Sequence, residues 1–318
     1  MSYFYLLATS YEERELAALE LWALAGVEPV GATAASVAAV DVAGAAYVRF
    51  CAQTLAQADS LEALEDQVRV QELTTDRFRL EIFRPSLVVR EAQAPCREPG
   101  WERVPQGTRE ITLTVANALR GWPDLDHPRE RLVVVAQPGR WLLGRIVSPG
   151  RRDWEGFPPS VGYSAALSAQ MARALVNLVA APGDSLLDPC CGMGTVVAQA
   201  ARRGIRAVGV EIVRKLSWQA GRYVQSVGGP GLICRGDARS FAGRFDAAVV
   251  DLPYGRASHR TEHLYEEILG NLRGLVRRAV VLTAEPLAEP VRAGWELLRL
   301  ARVYCGQLVR HCHLMVPR

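Results

Sequence analysis

From about residue 163 onward, short apolar runs alternate with amphipathic segments, and this rhythm restricts the possible folds more than any other property of the chain. Apolar runs fall at 185–190, 207–212, 232–236, 246–252 and 279–284. Helical patterns fall around them, at about 163–181, 194–203, 213–227, 262–277 and 286–293. Alternation of this kind predicts a parallel sheet covered by helices on both faces. Such sheets bind ligands outside the carboxyl ends of their strands. Those ends are therefore the place to look for chemistry. Trp295 to Tyr304 and Leu308 to Val316, with Gly306 between them, predict a terminal β-hairpin.

The carboxyl ends are acidic. Ser185-Leu186-Leu187-Asp188 runs into Pro189-Cys190-Cys191-Gly192-Met193-Gly194-Thr195, which reads as a strand turning through glycines into a helix. That turn brings backbone N–H groups close to a ligand. It lacks the full dinucleotide spacing and lacks Gly-Lys-Ser/Thr, which disfavours a nucleotide triphosphate. Ala207-Val208-Gly209-Val210-Glu211 ends in a carboxylate about twenty residues after the glycines, where it can accept ribose hydroxyls. Asp237 ends the next strand and could accept an adenine amine. Asp188, Cys190, Gly192, Gly194, Thr195, Glu211, Asp237 and Asp251 are the candidate residues for an adenosine-bearing cofactor.

Asp251-Leu252-Pro253-Tyr254-Gly255 closes the apolar run Phe245 to Val250. An exocyclic purine amine is a poor nucleophile, because its lone pair is delocalised into the ring. A carboxylate and a main-chain carbonyl that accept its two N–H bonds pull the nitrogen toward tetrahedral geometry. The lone pair then points at a methyl sulfonium, an orientation effect rather than strong base catalysis. Tyr254 can stack on a flipped-out base, and Pro253 stiffens the turn. Asp251, Pro253 and Tyr254 are thus the catalytic candidates, with Arg256 and Arg260 as nearby phosphate contacts. Cys190 and Cys191 fit small turn residues better than nucleophiles, since transfer to an amine needs no covalent intermediate. His311-Cys312-His313 with Cys305 does not make a metal site, because adjacent strand residues point to opposite faces.

The first half has a different rhythm. Tyr3 to Ala8 reads as a strand, Glu12 to Ala25 as a helix, Ala45 to Cys51 as a strand and Ser60 to Val70 as a helix. Phe78 to Val89 alternates as a half-exposed strand does, Glu91 to Thr108 reads as a loop, and Arg109 to Leu119 fits either a short helix or a strand. Leu132 to Ala136 and Trp141 to Val147 form a hairpin around Pro138-Gly139. This mixture predicts an α+β region over 1–150, with the boundary in the Pro- and Gly-rich stretch 148–159 and a second domain over 151–318. Residues 1–150 hold 15 arginines against 20 carboxylates, while residues 151–318 hold 22 basic against 14 acidic side chains. The basic half suits a polyanion. Seven cysteines without a disulfide spacing fit a reducing cytoplasm. No apolar run approaches a membrane span, and Met1 to Leu7 has no basic region ahead of its apolar residues, so neither a membrane nor a signal peptide is expected.

Residues 151–318 resemble the class I S-adenosylmethionine-dependent methyltransferases with an Asp/Asn-Pro-Pro-Tyr-type motif, and among them the tRNA guanine-N2 methyltransferases and their bacterial relatives. The resemblance rests on the Asp188–Thr195 turn, Glu211, Asp237, Asp251-Leu252-Pro253-Tyr254, the segment Gly162 to Leu175, and Gln307-Leu308-Val309-Arg310 before the last strand. The reactive motif has Leu252 where these tRNA enzymes have proline, as others in the wider amino-methyltransferase class do. The family implies a Rossmann-like α/β domain with a terminal antiparallel hairpin. It also implies S-adenosylmethionine as cofactor, with Ser164 and its segment at the methionine end, and structured RNA, namely tRNA, as partner. Tyr3 to Leu24 resembles the family's ferredoxin-like domain, and Phe78 to Gly144 a diverged THUMP domain that holds RNA. Two other functions remain open, an N6-adenine DNA methyltransferase and a catalytically silent RNA-binding protein.

Overall fold

The computed structural model describes residues 1–85, 104–154, 167–253, 259–288, 293–305 and 308–318. They form two compact units. One comprises Met1–Arg14, Ala25–Ala43 and Val48–Arg151, and the other Glu15–Leu24, Gly44–Tyr47 and Arg152–Arg318. A helix and a short segment from the first half of the sequence thus belong to the second unit.

Through the first half the elements are β1 (Tyr3–Leu7), α1 (Arg14–Ala25), β2 (Thr33–Ser36), β3 (Val48–Ala58), α2 (Leu61–Val70) and β4 (Thr74–Phe83). They continue as α3 (Thr108–Ala118), β5 (Arg120–Pro123), β6 (Glu130–Gln137) and β7 (Arg140–Pro149). The seven strands make one mixed sheet in the order β2-β1-β3-β7-β6-β4-β5. β6 and β7 meet as expected across Pro138-Gly139, with Gln137 opposite Arg140. Leu132 and Val134 of β6 enter one apolar cluster with Leu64, Val68, Ile111 and Val115 from α2 and α3. Val133 and Val135 enter another with Phe4, Leu6 and Phe50, so β6 is buried on both faces. β3 runs on past the expected end at Cys51, and β4 begins before Phe78. The ambiguous segment 109–119 is helical. Most of the expected loop 91–108 lies outside the described residues.

The second half continues with α4 (Ala169–Val179), β8 (Ser185–Asp188), α5 (Thr195–Arg202), β9 (Arg206–Glu211), α6 (Arg214–Val227) and β10 (Gly231–Arg235). It ends with β11 (Ala247–Asp251), α7 (His259–Arg273), β12 (Arg278–Thr283), β13 (Trp295–Cys305) and β14 (Leu308–Pro317). The sheet order is β10-β9-β8-β11-β12-β14-β13. The first five strands are parallel, and the terminal hairpin joins antiparallel at β12. From β8 the chain builds outward to β10, then returns to β11 and builds the other way. The crevice at the carboxyl ends of β8 and β11 is the switch point where such sheets take ligands.

The central strands β11 and β12 bury almost every residue of their apolar runs. At the amino ends of β8 and β11, the N–H and Oγ of Ser185 both donate to Asp246 Oδ2, at 3.0 and 2.7 Å. That end of the sheet serves stability. The helix expected at 286–293 does not form over its described residues 286–288. There the Leu287 N–H donates to His313 Nε2 at 3.1 Å.

Glu20, on α1, is fully buried within the second unit. Its carboxylate accepts from Ala46 N at 2.7 Å, Tyr47 N at 2.8 Å and Asn177 Nδ2 at 2.6 Å. Burial raises its pKa, and these donors oppose the rise. Glu20→Ala leaves three buried donors without an acceptor and should cost roughly 3–5 kcal/mol. Glu20→Gln, which keeps acceptor capacity, should cost about 1–2 kcal/mol. Denaturant unfolding of both variants checks this, and equal, small losses would show that the cluster is not structural.

Candidate active site

The glycine turn is held by its own backbone. Cys191 N donates to Val210 O at 3.0 Å and Gly194 N to Cys191 O at 2.7 Å. Gly192 and Gly194 both have positive φ, +50° and +80°, which glycine adopts without strain. A side chain at Gly194 would press on Val224 at 3.0 Å, whereas one at Gly192 would meet open space. Gly194 therefore packs inward as the cap of α5, and Gly192 leaves room for a ligand. Thr195, buried, opens the helix.

Three carboxylates converge beside this turn. Asp188 is 3% exposed and accepts the Cys190 N–H at 3.3 Å. Glu211 accepts Gly192 N at 3.1 Å through one oxygen and Val213 N at 2.8 Å through the other, so the end of β9 clamps the turn. Burial lifts the Asp188 carboxyl well above its ordinary range; the Cys190 N–H opposes the rise, and repulsion from Asp251 and Glu211 adds to it. Burial, followed by the nearby carboxylates, also pushes the Cys190 and Cys191 thiols up. Both stay protonated, which suits turn residues and not nucleophiles.

Asp237 sits on the same rim, close enough to act on Cys190. Its carboxylate, however, is gripped by the Arg239 guanidinium, with Nη2 at 2.6 Å from Oδ2 and Nε at 3.0 Å from Oδ1. This pairing holds Asp237 below the usual carboxylate range. An adenine amine would have to share that carboxylate with Arg239.

Asp251 is the last residue of β11, and its Oδ2 lies 3.1 Å from Arg310 Nη1 on β14. Leu252 is fully buried, and its N–H donates to Leu282 O at 3.2 Å. A proline there could not make this bond, so the leucine joins the motif to both sheet and core. The Pro253 carbonyl accepts the Tyr265 hydroxyl of α7 at 3.1 Å. Ser164, Tyr254 and Arg256 lie outside the described residues, as does the Arg260 side chain.

Tyr265 is a site residue that the sequence reading did not single out, and Arg310 entered that reading only as part of the terminal-hairpin resemblance. Their partners are distant in sequence, and no local spacing reports a contact across strands. The available signal for Arg310 was a lone guanidinium inside an apolar strand. Ile212 is a third. It follows Glu211 directly and is 58% exposed, so it offers an apolar face beside the candidate ribose site.

A turn lined by Asp188, Glu211 and Asp251 repels phosphate and favours a ligand with positive charge and hydroxyl or amine donors. Among the described residues no group of three or more His, Cys, Asp or Glu side chains is placed to hold a metal ion. His313 is a core residue whose Nδ1 meets Val281 O at 3.1 Å, while His311 Nδ1 lies 3.2 Å from Ala284 O. No helix among the described residues is long and apolar enough to cross a membrane.

Residues 160–226 match the family model of the UPF0020, RMKL-like methyltransferase domain. The chain is 32% identical over 133 residues to the tRNA (guanine(10)-N2)-dimethyltransferase of Methanothermobacter thermautotrophicus, a match covering 39% of this chain and 40% of that one. The chain thus spans about two fifths of the length of that curated relative. Over its whole length it superposes on TrmN from Thermus thermophilus with a TM-score of 0.52 at 19% identity, covering 100% of both chains. The chain therefore shares its fold with that structure.

The raised Asp188 carboxyl has a consequence for stability. The folded chain holds that proton more tightly than the unfolded chain. The group's contribution is thus complete below the ordinary carboxylate range and is lost as pH rises through the raised value. Asp188→Asn removes this loss. Its melting temperature should gain on the wild type between pH 5 and pH 8, measured by thermal unfolding without ligand, and parallel pH profiles would overturn the electrostatic account.

Proposed function

We propose that this chain transfers a methyl group from S-adenosylmethionine to an exocyclic purine amine in structured RNA, namely guanosine N2 of tRNA. One observation carries this reading. The Asp251-Leu252-Pro253 turn ends the strand next to a glycine turn whose carboxylates suit a cationic, phosphate-free nucleoside. The RMKL-like methyltransferase match and the activity named for the archaeal relative support the reaction and the substrate.

Bound S-adenosylmethionine would supply a methyl group activated by a sulfonium. Asp188, Glu211 and the open side of Gly192 would hold it, with Ile212 against the adenine and Asp237 at the rim. Ser164 and Cys190 would complete the pocket. Asp251 would accept one N–H of the target amine, and a main-chain carbonyl of the same turn the other. This turns the nitrogen lone pair toward the methyl donor. On taking the methyl group, with the S–C bond broken, the amine nitrogen would become cationic. Asp251 stabilises that charge until the proton leaves to solvent. Tyr254 would stack on the base.

The first unit, proposed as the ferredoxin-like and THUMP-like RNA-holding region, has six arginines tied to carboxylates. Arg69, Arg77, Arg120, Arg129, Arg131 and Arg145 each pair with a carboxylate. The second unit differs. Arg214, Lys215 and Arg222 share one face of α6 with Trp218, and none of the three pairs with a carboxylate among the described residues. Trp218 is 62% exposed, with the Arg222 guanidinium 5.1 Å from its ring centroid. Unpaired cations beside an exposed indole suit phosphates and an unstacked base.

Incubation with labelled cofactor and separate tRNA, rRNA and DNA pools tests the substrate class. Label in tRNA is expected, and label confined to DNA would favour the N6-adenine alternative. Asp251→Ala should keep its cofactor affinity by calorimetry yet lose about 100-fold or more in single-turnover rate. A wild-type rate would sink the mechanism. Lys215→Glu with Arg222→Glu should weaken RNA binding and lower its log–log salt slope by about 2. An unchanged slope would remove α6 from the RNA surface.

A further inference from the structure

We propose that Arg310 is a positioning residue for methyl transfer, which keeps Asp251 ionised and fixes the direction of its carboxylate toward the substrate amine. The inference rests on the role proposed above for Asp251 and goes beyond it by assigning a function to the terminal hairpin.

Arg310 is 3% exposed and lies on β14, a strand that does not touch β11. β12 stands between them, pairing Asp251 with Leu282 and Leu282 with Cys312. Arg310 is beyond the end of that ladder, since the last residue of β12, Thr283, pairs with His311. From there its guanidinium reaches past the carboxyl end of β12 to Asp251 Oδ2, at 3.1 Å. Burying a guanidinium is costly unless it is paired. A pair that joined strands for stability alone would fit anywhere along the sheet. This one falls on the carboxylate of the reactive motif.

The neighbourhood explains why Asp251 needs a cation. It shares the crevice with Asp188 from β8 and Glu211 from β9, both of which act on Cys190 together with it. Tyr265 of α7 also feels the Asp251 charge. β12 ends in Thr283, which carries no charge. His311, next along β14, alternates to the other face and has its ring at Ala284 O. Arg310 is thus a cation paired directly with Asp251 among the described residues. Without it, repulsion from the Glu211 carboxylate would favour the protonated acid. A protonated Asp251 donates where the amine requires an acceptor, and it cannot stabilise the cationic nitrogen.

The test is a pH profile of single-turnover methyl transfer, from about pH 5.5 to 9, on an RNA substrate that the wild type methylates. Arg310→Gln should move the acid limb upward by about 1–3 pH units, the range by which a neighbouring cation shifts a carboxylate. Its rate should therefore fall below the wild type at the acid end of this range and recover toward it at pH 9. Cofactor affinity, read by calorimetry, should stay within about threefold of wild type, against the tenfold of one pKa unit. Arg310→Lys, which keeps a charge without the fork, should move the limb less than half as far. Asp251→Asn and Asp251→Asn/Arg310→Gln should share one residual rate, because Arg310 acts through Asp251.

A slow Asp251→Asn beside an Arg310→Gln with the wild-type limb would overturn the role of Arg310 alone. A fast Asp251→Asn would overturn the proposed role of Asp251 itself. A loss in Arg310→Gln that is equal at every pH would mean a purely structural pair. Should Arg310→Gln not fold, the profile of Arg310→Lys decides, since a structural pair predicts no movement of its acid limb.

Discussion

Carboxylates gathered at the carboxyl ends of parallel strands repel one another, and the second unit is arranged around that repulsion. Asp188 is buried and retains its proton more strongly than a free carboxyl does. Glu211 is satisfied by N–H groups of the turn beside it. Asp237 is compensated by Arg239 and Asp251 by Arg310. The site therefore treats its four acids in three different ways. What remains is a negative crevice beside the open face of Gly192, suited to a cationic ligand and hostile to phosphate.

The two ends of the sheet divide the work. At the amino ends, Ser185 and Asp246 fasten the two strands that flank the switch point. At the carboxyl ends, the same strands hold Asp188 and Asp251. The terminal hairpin serves both purposes. His313 and Cys312 are buried in the core, and burial pushes the Cys312 thiol up to about 12. Arg310, a few residues earlier, reaches the reactive motif. Trp295 Nε1 meanwhile donates to Leu269 O and ties β13 to α7, the helix whose Tyr265 holds the Pro253 carbonyl.

Charge is distributed as unevenly in space as along the chain. In the first unit six arginines, Arg69, Arg77, Arg120, Arg129, Arg131 and Arg145, are each neutralised by a carboxylate. Pairs this exposed contribute little to stability and leave little field for a polyanion. On α6 the cations have no such partners among the described residues, and Trp218 interrupts them with an exposed apolar surface. The excess positive charge of residues 151–318 thus has a location, which net charge alone could not provide.

Much of this was legible in the sequence because it is local. Strand–helix alternation, the glycine turn and the acidic residue closing each strand are patterns of a few neighbouring residues, and backbone geometry turns them directly into elements. β8 to β12 and the terminal hairpin accordingly stand where their periodicity placed them. Residues 286–288, which are not helical, show the limit, since a histidine 26 residues away takes the Leu287 N–H. The same limit hid the pairing of Arg310 with Asp251, the Tyr265 bond to Pro253 and the burial of Leu252. Each depends on which strand lies beside which, and on how far a side chain must reach to satisfy a buried charge or carbonyl. The sequence alone determined which chemical groups stand at the strand ends. Only the tertiary structure decided which of them face each other and which are already compensated, because electrostatic energies depend on distance and burial, neither of which is written in residue order.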